Sequence, residues 1–132
     1  MKLHHIGIIV KDINKSIGLY KKLGYRQVGE TVIDNIQKNI VAFMQLSQAP
    51  LIELIEPVDG SSSVINFKCG YHHLCFEEDV NENVRESFGK LKIGKIFTQP
   101  ILAPALDFRE IVFAYLYNEM LIEIILMENV NQ

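Results

Sequence analysis

The chain has 132 residues, 48% of them hydrophobic and 22% charged, with 8 Gly and 4 Pro. That profile describes a packed globule and excludes a disordered, collagen-like or low-complexity chain. Thirteen Lys and Arg against sixteen Asp and Glu leave a net charge of −3, so no basic excess is available to hold a phosphate backbone, and nucleic acid is not an expected partner. The longest apolar stretches, Ile111 to Tyr117 and Leu121 to Met127, fall far short of the roughly 20 residues of a membrane span. The start, Met1 to His5, lacks the apolar core of a signal peptide, so no membrane partner and a cytoplasmic location are expected. Cys69 and Cys75 match no zinc or redox spacing and are expected as small apolar filler.

In chain order, His4 to Val10 reads as a strand leading to a helix capped by Asp12, with Ile13, Ile17, Tyr20 and Leu23 on one face. Gly24 follows where a left-handed cap belongs. Tyr25 to Asp34, Ile40 to Leu46 and Leu51 to Glu56 read as three more strands, and Pro57 to Gly70 as a linker with one short helical turn. The pattern then repeats. His72 to Glu77 is a strand, and Asp79 caps a helix carrying Val80, Val84, Phe88 and Leu91, with Gly94 at its left-handed end. Gly94 to Leu102, Glu110 to Tyr117 and Leu121 to Met127 close the second copy.

Both copies end alike, as Leu51-Ile52-Glu53-Leu54-Ile55 and Leu121-Ile122-Glu123-Ile124-Ile125. A carboxylate between apolar pairs costs several kcal/mol to bury unless its charge is compensated. Strand alternation places His5 with Gly7 and Ile9, and His73 with Cys75 and Glu77, on the less apolar faces of their strands. Glu53 and Glu123 can point the same way. Taken singly, each is an ordinary hydrogen-bonded strand residue. Two imidazoles and two carboxylates at matching positions of a repeat point to one divalent cation, of the kind mixed N/O ligands suit: Zn, Ni, Co, Mn or Fe. His4 and His72 face the other way, and Glu56, Glu77 and Glu78 read as solvated.

With its His-Ile-Gly-Ile, Ile-Glu-Leu-Ile-Glu-Pro, His-His-Leu-Cys-Phe-Glu and Leu-Ile-Glu-Ile segments, the duplicated unit resembles the vicinal oxygen chelate superfamily. That superfamily includes glyoxalase I, methylmalonyl-CoA epimerase, extradiol dioxygenases and bleomycin-resistance proteins. The resemblance runs from Leu3 to about Met127 and implies an α+β fold. Two tandem βαβββ modules, about 1–57 and 71–128, joined by linker 58–70, would form a curved, mostly antiparallel eight-stranded cup with helices outside. It implies His5, Glu53, His73 and Glu123 as ligands of one divalent metal, with Ni, Zn or Co first, and a homodimer.

The activity that the resemblance implies first is that of a glyoxalase I-type lyase or isomerase. Its substrate is the hemithioacetal of a 2-oxoaldehyde. Glu123 would abstract the proton next to the carbonyl to give a metal-bound enediolate, and Glu53 would relay or return it. The alternative is methylmalonyl-CoA epimerase, with an acyl-CoA substrate and Lys38, Lys68 or Arg109 toward its phosphates. Epimerases of the superfamily usually carry a further glutamate before a Gln-Gly step, and here Asp34-Asn35-Ile36-Gln37-Lys38 puts Ile36 at that place. Asp34 would have to substitute. A third reading is a non-catalytic drug-binding protein of the bleomycin-resistance type, against which the complete ligand set counts.

Overall fold

The computed structural model describes residues 1–128. They divide into two compact units, His5–His72 and His73 onward together with Met1–His4. The first module runs β1 (Lys2–Ile9), α1 (Ile13–Lys22), β2 (Arg26–Asp34), β3 (Asn39–Gln45) and β4 (Leu51–Pro57). Its strands lie in the order β2-β3-β4-β1, antiparallel except for the parallel β1/β4 pair. Asp12 caps α1 as its sequence predicts, accepting from Lys15 N at 3.0 Å. The helix buries Ile13 and Ile17 against Ala42, Met44, Ile52 and Leu54, while Leu23 stays exposed.

The second module runs β5 (Gly70–Glu77), α2 (Val84–Leu91), β6 (Gly94–Ile96), β7 (Ile101–Ala103), a 3-10 turn (Pro104–Leu106), β8 (Arg109–Leu116) and β9 (Leu121–Ile125). Its order is β5-β9-β8-β6, with β7 also on β8 and β5/β9 again the parallel pair. Val84 and Phe88 pack on Val112, Ala114, Ile122 and Ile124. The fold is α+β, as expected, with one helix covering one face of each module's sheet.

Five details differ from the sequence reading. The strand expected over Gly94 to Leu102 is two short ones, because Pro100 has no N–H to give to a ladder. The second helix starts at Val84, capped by Asn83 and not by Asp79. Asp79 and Glu82 close a turn of their own, Asp79 N donating to Glu82 Oε1 at 3.0 Å, and Val80 is 78% exposed. The left-handed cap is Lys92, at φ 52°. The linker makes successive turns without becoming a helix, and it is tied back to β3 by Ser62 Oγ donating to Asn39 Oδ1 at 2.5 Å. Cys75 is buried, whereas Cys69 is exposed on the linker and is not core filler.

Gly94 is required for a reason other than backbone freedom. A Cβ there would lie 2.1 Å from the Tyr115 carbonyl oxygen on β8. Gly89, inside α2, meets nothing within 4 Å. Gly94→Ala should therefore destabilise the protein by about 1–3 kcal/mol through forced backbone displacement. Gly89→Ala should stabilise it by about 0.5–1 kcal/mol through helix entropy. Urea unfolding midpoints moving in opposite directions would confirm this, and a neutral Gly94→Ala would refute it.

Candidate metal centre

Ile8 on β1 and Val10 just after it pack toward α1, so alternation turns His5, Gly7 and Ile9 to the other face. On β4, Ile52 and Leu54 take the helix side and leave Glu53 and Ile55 with His5. The parallel register sets Glu53 opposite Gly7. His5 Nε2 lies 3.5 Å from Glu53 Oε1; His5 is fully buried and Glu53 is 7% exposed. Phe43 stands across from Glu53 on β3 and meets the His5 imidazole edge-on at 5.2 Å. Ile9, Ile55 and Val64 of the linker fill the far end of this face.

The second module repeats the arrangement. Leu74 and Phe76 face α2, which leaves His73 and Cys75 on the opposite side with Glu123, the register partner of Cys75. His73 Nε2 is 3.9 Å from Glu123 Oε1, and both residues are buried. Phe113 stands across from Glu123, its ring 6.3 Å from that of His73. Cys75, Ala103, Ile111 and Ile125 close the far end.

Each module thus brings together the imidazole and the carboxylate that its sequence singles out. Two ligands held about 2.1 Å from a tetrahedral divalent ion stand about 3.4 Å apart, and the observed 3.5 Å and 3.9 Å are close to that spacing. The donor chemistry fits a borderline divalent cation. The two phenylalanines are residues that the sequence reading missed. Their signal was available, since each lies ten positions before its glutamate.

The family model for the Glyoxalase/Bleomycin resistance protein/Dioxygenase superfamily matches residues 4–90. The chain belongs to this superfamily. It is 31% identical to the mitochondrial methylmalonyl-CoA epimerase of Homo sapiens over 100 residues, 72% of this chain and 54% of that protein. Against the mitochondrial epimerase of Dictyostelium discoideum it is 29% identical over 107 residues, 70% of this chain and 64% of that one. The chain spans little more than half the length of the curated relatives it matches. Among solved structures, methylmalonyl-CoA epimerase from Mycobacterium tuberculosis superposes with a TM-score of 0.80 at 22% identity, over 97% of this chain and 89% of the other. A methylmalonyl-CoA epimerase in complex with methylmalonyl-CoA and NH4+ gives a TM-score of 0.76 at 19% identity, over 99% and 97%. At these identities the superpositions establish the fold of the superfamily.

Other acids have structural roles that their sequence context hides. Asp34, considered as a substitute base, is buried and accepts from Ile36 N and Gln37 N at 2.9 Å, building the β2–β3 turn. Glu56, expected to be solvated, accepts from Ile13 N at the start of α1. Glu78, also expected at the surface, is buried and accepts from Val84 N at 3.0 Å and Met127 N at 2.9 Å. Both carboxylates therefore sit at helix N-termini, where the backbone dipole favours them.

Arg109, a candidate for substrate phosphates, is bonded to Glu77 at 2.5 Å. This guanidinium holds the Glu77 carboxyl below its ordinary range, with Lys2 and His4 adding to the effect and burial opposing it. A depressed carboxyl pKa contributes stability that is fully present above the unfolded value and is lost as pH falls through the folded one. The unfolded reference is 4.5. The stability difference between wild type and Arg109→Ala should therefore be constant above about pH 5.5 and shrink as the pH drops below about 4.5. A difference independent of pH in denaturant titrations would refute this role.

Proposed function

We propose that this chain is a divalent-metal-dependent isomerase of the methylmalonyl-CoA epimerase type, with His5, Glu53, His73 and Glu123 as the four ligands of one metal per site. One observation carries the reading: the buried imidazole–carboxylate pair recurs at equivalent positions of both modules. The relatives support the epimerase over glyoxalase I, since each curated relative named above bears that activity. The acyl-CoA substrate comes from the same comparison and from the solved complex with methylmalonyl-CoA.

A divalent cation held by these donors supplies Lewis-acid polarisation of a carbonyl, which acidifies the neighbouring C–H and offsets the developing negative charge. Epimerisation removes a proton from one face of that carbon and returns one to the other, which asks for two bases. Glu123 takes the proton in our reading, and Glu53, from the other module, returns it. Asp34 is unsuited to that task because its carboxylate is held by the turn. Phe43 and Phe113 border the two pairs; apolar rings placed there would limit water and so strengthen each charge interaction. One feature favours glyoxalase I as a second reading: Ile36 occupies the place where epimerases of the superfamily usually hold a further acid.

After loading with Ni, Co or Zn and desalting, we expect one metal per chain by elemental analysis, and less than half of that in His5→Ala and His73→Ala. In heavy water, methylmalonyl-CoA should exchange its C2 proton, whereas methylglyoxal plus a thiol should give no thioester. Glu123→Gln should lower the exchange rate by about a hundredfold or more while the fold is retained. Unchanged exchange would remove Glu123 from the base role. Thioester formation without C2 exchange would replace the epimerase reading by glyoxalase I.

A further inference from the structure

Away from the His–Glu pairs, the second module carries a cavity of 430 Å³ between α2 and the edge of its sheet, within the roughly 300–1,000 Å³ range of small-molecule sites. Arg85, Lys92, Phe97, Thr98, Gln99 and Tyr117 line it, and no carboxylate does. In a chain with more acids than bases, this is a locally positive hollow. Neither Arg85 nor Lys92 makes an ion pair among the described residues, so both cations are available. Lys92 holds φ 52° at the C-cap of α2, a conformation that usually falls to glycine.

The aromatic wall connects this hollow to the metal-ligand face. Phe97 N donates to Phe113 O at 3.0 Å, and Phe113 is the register partner of Glu123. Phe97 thus stands two strands from Glu123, about 10 Å at ordinary strand spacing. The Phe97 ring stacks on Tyr115 at 4.9 Å and 20°, and Phe97, Tyr115 and Tyr117 are 48%, 42% and 70% exposed. A stacked, solvent-facing aromatic pair beside two uncommitted cations suits a ligand with a flat ring and several phosphates.

Resting on the acyl-CoA reading above, we propose that this cavity binds the phosphorylated adenosine end of the substrate. Its base would lie against Phe97 or Tyr117 and its phosphates would meet Arg85 and Lys92. The pantetheine arm would cross the sheet edge past the Phe97–Tyr115 stack. The reacting acyl group would stay near Glu123.

Free coenzyme A, titrated calorimetrically into the metal-loaded protein, tests this directly. Both cations are exposed, so the R85E/K92E double variant should fold. It should bind coenzyme A about tenfold or more weakly. K21E/K22E, with the same change in net charge on α1, should bind as wild type does. Deuterium exchange into methylmalonyl-CoA should show a raised KM and unchanged kcat in R85E/K92E, while methylmalonyl-pantetheine, which lacks the nucleotide, should be processed equally by both proteins. Absent binding to wild type, unchanged binding in R85E/K92E, or equal weakening in K21E/K22E would overturn the site. Exchange with both substrates but no effect of R85E/K92E would leave the epimerase reading standing and remove this one. Loss of coenzyme A binding in R85E/K92E, with no exchange in wild type, would do the reverse.

Discussion

A carboxylate buried beside an imidazole, in the middle of an apolar strand face, sets the terms for each module. Neither group can be left alone there, because an uncompensated buried charge costs several kcal/mol. The His lies on the first strand and the Glu on the last, so the chain must bring its two ends together while passing through everything between. It does so with one parallel pair in an otherwise antiparallel module, β1 beside β4 and β5 beside β9. A parallel connection needs a long crossover, usually helical. The helix supplied by that crossover covers one face of the sheet. The other face is left to the His–Glu pair.

The helix starts are fixed by carboxylates on or beside the same strands. Glu56, near the end of β4, gives its carboxylate to the first N–H of α1, and Glu78, just past β5, does so for α2. Each helix is thereby anchored to a strand that carries a proposed ligand, Glu53 on β4 and His73 on β5. Rotating the helix would break this bond and expose its buried face, so the position of the ligand strand and that of the helix are coupled.

How much of this was legible in the sequence depended on the range of the interaction. α1 was legible because its cap, Asp12, and its buried face, Ile13 and Ile17, are local. The start of α2 was not, because Asp79 and Asn83 are both good caps. The choice is bound up with Glu78, which reaches Met127 N at a separation of 49 residues. The Asp34 carboxylate looked available because two turn N–H groups leave no mark in composition. The His and Glu positions were legible because duplication printed them twice. The same test, applied to aromatics, would have given Phe43 and Phe113.

Where the copies diverge is as informative as where they agree. The His–Glu pairs match. Their surroundings do not match: Gly7 stands opposite Glu53, whereas Cys75 stands opposite Glu123. The far end of one face is closed by linker residue Val64, and that of the other by Ala103 from β7. The largest departure is at the sheet edge. In the first module β2 follows β3 with a single bulge, but in the second the equivalent strand breaks between Ile96 and Ile101. That break gives up ladder hydrogen bonds and leaves aromatic rings at the surface. A substrate with a small reacting head and a long charged tail is itself asymmetric. In the reading proposed above, the matched donors would serve its head, and the broken edge of the second module, with Arg85 and Lys92 beside it, would give its tail an asymmetric place.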